Sequence, residues 1–109
     1  MAWYVANAKN EPHPVGLKAP NNWGLYDMHG NVSELCRDYL VHSLGTSPVT
    51  DPLTRRNGGT GLGYVTRGGS FSSSQPVAEC RAAARAWRAP DNTGTLRSRD
   101  GIRVFLTLE

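Results

Sequence analysis

Apolar and polar positions alternate along residues 31–40 (NVSELCRDYL). Val32, Glu34, Cys36, Asp38 and Leu40 fall on one side, and Ser33, Leu35, Arg37 and Tyr39 on the other. A strand has this period of two, but Val32, Leu35, Cys36 and Tyr39 also make one stripe of a helix, so periodicity leaves both open. Residues 64–71 (YVTRGGSF) read as a strand ending at a Gly-Gly kink, where the backbone bulges or comes close to a neighbour. Residues 77–87 (VAECRAAARAW) are alanine-rich and favour helix by propensity. Residues 100–109 (DGIRVFLTLE) carry Ile102, Val104, Leu106 and Leu108 on one face and give the clearest strand pattern. Residues 2–5 (AWYV) suit a short strand, while the rest of residues 1–24 is turn chemistry. Residues 43–63 form a long glycine- and proline-punctuated loop, of the kind that is functional or mobile.

Composition adds short elements and a modest core. The 109 residues suit a single domain, 1–109, and include 12 Gly and 7 Pro, which predicts many turns. Only 39% of the chain is hydrophobic. The large aromatics Trp3, Trp23, Trp87, Tyr26, Tyr39, Tyr64, Phe71 and Phe105 are therefore the natural core candidates. No apolar run approaches the ~18 residues of a membrane span. The first residues lack the charged start and apolar stretch of a secretory signal, leaving a cytoplasmic location as the default expectation.

The formal net charge is +3, with arginine far outnumbering lysine. The arginines are scattered without a dense block, which argues against nucleic acid as a partner. Arginine also suits buried forks onto carboxylates, and Glu34, Asp38 and Asp100 are available. His29, Cys36 and His42 match no common zinc spacing. Residues 31–33 form a glycosylation sequon by pattern, inside a tight motif that makes it a chance match. The glycines at 58–63 lack the following lysine-bearing helix of a phosphate cradle.

Taken in order, PNNWGLYDMHGNVSELCRDY, a DP-containing loop, YVTRGGSF, CRAAAR and DGIRV form a specific series. It resembles the C-terminal half of the formylglycine-generating enzyme domain, also called the sulfatase-modifying factor domain, from about Trp3 to Phe105. The resemblance implies an α+β, C-type-lectin-like fold: short twisted antiparallel strands, long irregular loops and little helix. It turns residues 77–87 away from helix, toward an extended start with at most a short turn near residues 82–87. The earlier half of the family domain has no counterpart here. A homodimer, or a partner chain covering the missing half-domain, is therefore expected.

The resemblance also carries candidate chemistry. The family's oxidase holds copper through two cysteines just after the Gly-Gly-Ser turn. Here Ser73 stands where the first thiol belongs, and Val77 or Ala78 near the second, so no copper and no oxidase chemistry are expected. Family members bind calcium in the loop matching the 24–36 run. Carried across, the donors are Asp27, the carbonyls of Gly30 and Val32, and Glu34, with water completing the shell. The alternative is that Glu34 pairs with Arg81 or Arg85 while Asp27 makes an Asx turn. Relatives with cysteines at both places make Cys36 and Cys80 a candidate disulfide, against two buried free thiols. The surface implied for binding includes Ser72, Ser73, Ser74, Gln75, Trp87, Arg88, Asp91, Asn92 and Arg97, although Trp87 is as good a core residue and the three serines, which could line a polar pocket, better suit a solvated turn. The functional expectation is a self-associating, non-catalytic binding or structural domain. Its rival is a separate chain supplying part of an oxidase-like or sulfur-transferring enzyme.

Overall fold

The computed structural model describes residues 2–50, 53–55, 63–88 and 98–104. Four short strands form one sheet: β1 (Ser33–Tyr39), β2 (Tyr64–Arg67), β3 (Ala86–Arg88) and β4 (Asp100–Gly101), in the order β3-β2-β1-β4. A single helical turn, α1 (Pro76–Glu79), lies between β2 and β3. Long irregular connections make up most of the rest, so the expected architecture of short strands, long loops and little helix is the one adopted. No helix among the described residues is long and apolar enough to cross a membrane.

The ambiguity over residues 31–40 resolves to a strand. β1 pairs antiparallel with β2, Glu34 opposite Arg67 and Leu35 opposite Thr66, and the register shifts before Tyr39 meets Tyr64. β2 pairs antiparallel with β3, but β4 runs parallel to β1, so the expectation of all-antiparallel neighbours fails at that edge. Within the described residues the last strand is much shorter than its alternation suggests. Ile102 and Val104 lie beyond β4 and are 74% and 87% exposed. Leu106, Leu108 and Phe105 fall outside the described residues.

A helical turn falls upstream of the alanine run, a correction to the extended start expected there, while the short turn expected near residues 82–87 is present at residues 82–83, with the Ala84 N–H donating to the Arg81 carbonyl at 3.0 Å. Pro76 pre-sets the first helical turn, where its missing N–H costs nothing. Further on, the Arg67 guanidinium holds the carbonyls of Ala82 and Ala84 at 3.1 and 3.0 Å. Those carbonyls are thereby taken from any helical ladder, and the chain leaves extended into β3 despite its alanines.

Among the described residues the core is small and rich in polar groups. Ala8, Tyr39, Val65, Phe71 and Cys80 are its buried apolar members, alongside buried Asn31, Ser33, Thr66, Ser70 and Ser73. Of the proposed aromatic core, Tyr39 and Phe71 are buried, whereas Trp23 is 84% exposed and Tyr26, Tyr64 and Trp87 are also exposed. Asn31 links the sheet to the N-terminal segment. Its side-chain oxygen accepts the His13 N–H, its side-chain nitrogen donates to the His13 carbonyl, and its backbone N–H donates to the Trp3 carbonyl. This amide is buried and bonded through both its oxygen and its nitrogen, which leaves it no room for a glycan in the folded chain. Trp3 stacks on His13 at 3.8 Å, with the Lys18 ammonium 3.7 Å above the indole. Gly30 permits this approach: it sits at φ +82°, and a Cβ there would lie 2.1 Å from the Trp3 carbonyl oxygen.

Candidate functional site

Successive side chains of an extended strand point to opposite faces, and around β1 this separates two cavities. Val32 and Glu34 line one, Ser33 the other.

The first cavity, about 410 Å³, collects all four candidate calcium donors: Asp27, Gly30, Val32 and Glu34. It also holds Arg103, which that reading did not include. The Arg103 Nε donates to both Glu34 carboxylate oxygens at 2.9 and 3.0 Å, and its Nη2 donates to Glu34 and to the Tyr26 carbonyl. Glu34 thus pairs with an arginine, but with Arg103 rather than Arg81 or Arg85. The bond to Glu34 raises the Arg103 pKa, which keeps the fork charged. Asp27 accepts the Gly16 N–H at 2.8 Å, a link across eleven residues in place of the local Asx turn expected. A guanidinium lies against both Glu34 oxygens, so a calcium ion at this donor set would have to displace Arg103. No group of three or more His, Cys, Asp or Glu that could hold a metal occurs among the described residues. His29, Cys36 and His42 form no such group either.

The second cavity, about 560 Å³, lies between the Gly69–Ser73 turn, α1, the segment leading into β3, and Arg99. Ser70 and Ser73 are buried and line this cavity, so Ser73 follows the polar-pocket reading of the three serines, while Ser74 and Gln75 are exposed as in a solvated turn and Ser72 is half-buried. The Ser70 N–H donates to Ser73 Oγ at 2.9 Å, and the Ser70 and Ser72 hydroxyls share a hydrogen bond of 3.1 Å. The Ser73 hydroxyl also faces the Cys80 sulfur, and Gly69 at φ +70° lets that sulfur approach: a Cβ on Gly69 would meet it at 2.6 Å.

The candidate bridge between Cys36 and Cys80 is not made; both thiols are free. Cys80 is packed into the serine turn, with its carbonyl taken by His29 Nδ1–H at 2.5 Å. Cys36 is half-buried on β1 and contacts the Glu34 carbonyl. Burial pushes both thiols above their ordinary value of 9.0, against opposing pulls from Arg67 on Cys36 and from the Ser73 hydroxyl on Cys80.

Arg81, Arg85, Arg88 and Arg99 all line the second cavity. Arg88 forks onto Asp100, whose side chain is only 3% exposed, at 2.8 and 3.0 Å. The side chains of Arg81, Arg85 and Arg99 make no ion pair or hydrogen bond among the described residues. Of the carboxylates expected to take arginine forks, Glu34 and Asp100 do so, while Asp38 accepts the Thr54 N–H instead. Arg81, Arg85, Arg99 and Arg103 were absent from the candidate site residues. Their signal was the excess of arginine over lysine, but nothing in the sequence said which would remain unpaired. Trp87 is 42% exposed beside half-buried Arg88 on β3; Asp91, Asn92 and Arg97 lie outside the described residues.

Comparison with known proteins then gives the following. The family model described as "Sulfatase-modifying factor enzyme 1-like domain" matches residues 2–108. A formylglycine-generating enzyme of Thermomonospora curvata is 39% identical over 84 residues, covering 73% of this chain and 27% of that protein. The serine/threonine-protein kinase pkn1 of Chlamydia pneumoniae is 33% identical over 84 residues, covering 77% of this chain and 13% of that protein. Among solved structures, Treponema denticola variable protein 1 superposes with a TM-score of 0.76 at 35% identity, over 93% of this chain and 34% of that one. The chain thus spans about a third or less of the length of these relatives.

Proposed function

The chain belongs to the sulfatase-modifying factor enzyme 1-like domain family, and on that premise we propose that it acts as a non-catalytic binding domain and not as an oxidase. One observation carries this reading: the position that the family resemblance assigns to the first copper thiol is Ser73. Copper(I) favours soft thiolates, and a hydroxyl is a hard, weakly acidic donor. The one thiol beside Ser73, Cys80, is buried and held toward its protonated form, which makes it a poor ligand by itself. That stretches similar to this one occur in relatives named as an enzyme generating formylglycine and as a protein kinase fits a unit whose own contribution is recognition.

The same reading includes self-association. Val15, Leu25, Tyr26 and Ile102 rim the cavity at Arg103 and are all exposed. An apolar rim of this kind favours association with a second copy of the chain. The alternative, a separate chain completing the domain, would cover the same rim.

The test is direct. The purified chain, loaded with copper(I) under air, is given a cysteine-containing peptide, and the peptide is followed by mass spectrometry. The thiol is expected to survive at the rate of a protein-free control. Catalytic conversion of the cysteine to an aldehyde would end the non-catalytic reading. Light scattering over a range of concentrations tests the dimer separately.

A further inference from the structure

We propose that the cavity lined by Arg81, Arg85 and Arg99 is a binding site for a small organic oxyanion, a carboxylate or phosphate monoester carrying an apolar body. The proposal rests on the binding-domain reading and names the ligand class for it. Three guanidiniums without partners among the described residues share this lining with one carboxylate, Glu79, while Arg88 is already committed to buried Asp100. Like charges gathered around one concavity repel, and walls of low dielectric strengthen both that repulsion and the attraction for an anion. The planar fork of arginine matches the paired oxygens of a carboxylate or phosphate.

The remaining lining limits the ligand further. Ser70 and Ser73 put hydroxyls on one wall, while Leu40, Val41 and Ala84 make apolar surface on another. A volume of about 560 Å³ exceeds what an inorganic ion needs and falls within the range of pockets that take small organic ligands. Arg85 and Arg99 are half-buried, so their charges are less screened than those of surface arginines such as Arg37. The arginines sit in a concavity and not along an extended stripe, which suits a compact anion better than a nucleic-acid backbone.

Isothermal titration of the whole chain with phenyl phosphate, benzoate, inorganic phosphate and the neutral benzamide tests the assignment. Phenyl phosphate or benzoate should bind one per chain, with affinity falling as salt rises; the tighter of the two identifies the headgroup. Inorganic phosphate should bind more weakly, and benzamide not measurably. Arg85→Met and Arg99→Met should each weaken binding by roughly tenfold or more, and Arg85→Lys by less, because it keeps the charge and loses the fork. Arg37→Met, exposed on β1 and outside the cavity lining, should bind as the wild type does. Absence of binding by either aromatic anion, equal binding of benzamide, or unaltered affinity in both methionine variants would overturn the assignment. Because peptide oxidation is measured separately, a failed titration and a failed non-catalytic reading give different results.

Discussion

The two cavities beside β1 are both lined by arginine and carboxylate, yet they differ in what is left over. At the Asp27–Glu34 cavity the charges close on themselves: Arg103 forks onto Glu34, and Asp27 takes a backbone N–H. At the serine-lined cavity only Arg88 is matched, and three cationic side chains have no counterpart among the described residues. A paired charge acts mainly on stability, whereas an unpaired one in a concavity is available to a ligand. By this criterion the first cavity fastens the fold and the second receives the ligand.

Substitutions can break that contrast, starting with the largest effect. Gly30→Ala would drive a Cβ into the Trp3 carbonyl and force alanine to a positive φ. It should destabilise the chain by about 3 kcal/mol or more in chemical denaturation, and a wild-type midpoint would refute the docking of the N-terminal segment. Arg88→Met removes the fork onto the buried Asp100 carboxylate, at a cost of about 2–3 kcal/mol. Arg103→Met breaks a more exposed pair and should cost less, about 1–2 kcal/mol. With Arg103 present, adding calcium or a chelator should leave the melting temperature unchanged; a rise with calcium would show that the ion displaces the guanidinium. Arg85→Met and Arg99→Met should move stability by no more than about 0.5 kcal/mol while weakening anion binding. Equal destabilisation by Arg85→Met and Arg103→Met would erase the distinction between the cavities.

The smallest effect concerns pH. Both thiols titrate above their ordinary value of 9.0 in the folded chain. Well below 9.0 folded and unfolded thiols are alike protonated and contribute no slope. Above it the unfolded chain loses its thiol protons first, so stability should fall as pH rises, until the folded-state values are passed. Cys80→Ala, compared with wild type across alkaline melts, should flatten that fall, and unchanged slopes would mean that the buried thiol ionises as freely as an exposed one.

Much of this architecture was legible in the sequence because local chemistry and fold agree there. The Gly68-Gly69 kink ends β2 as read, and the strand alternation of residues 31–40 delivers Val32 and Glu34 to one cavity and Ser33 to the other. Resemblance brought Asp27, Gly30, Val32 and Glu34 together before any coordinates did. What stayed hidden depended on distant partners. Arg67 capturing the Ala82 and Ala84 carbonyls overrides an alanine-rich helical propensity. Arg103, 69 residues from Glu34 along the chain, lies against the carboxylate that was also a candidate calcium donor. The serine run looked solvated because Ser and Gln dominate it, yet Ser70 and Ser73 are turned inward by their mutual bonds and by Cys80. Aromatic residues misled in the same way: Trp23 and Tyr26 lie exposed, where only a further surface could cover them.

The account stands or falls on whether Ser73 has removed the oxidase chemistry from this scaffold. The sharpest measurement is dioxygen consumption by the copper(I)-loaded chain in the presence of a cysteine peptide. Uptake no faster than that of copper and peptide alone is the predicted result. Protein-dependent uptake matched by loss of the peptide thiol would contradict it.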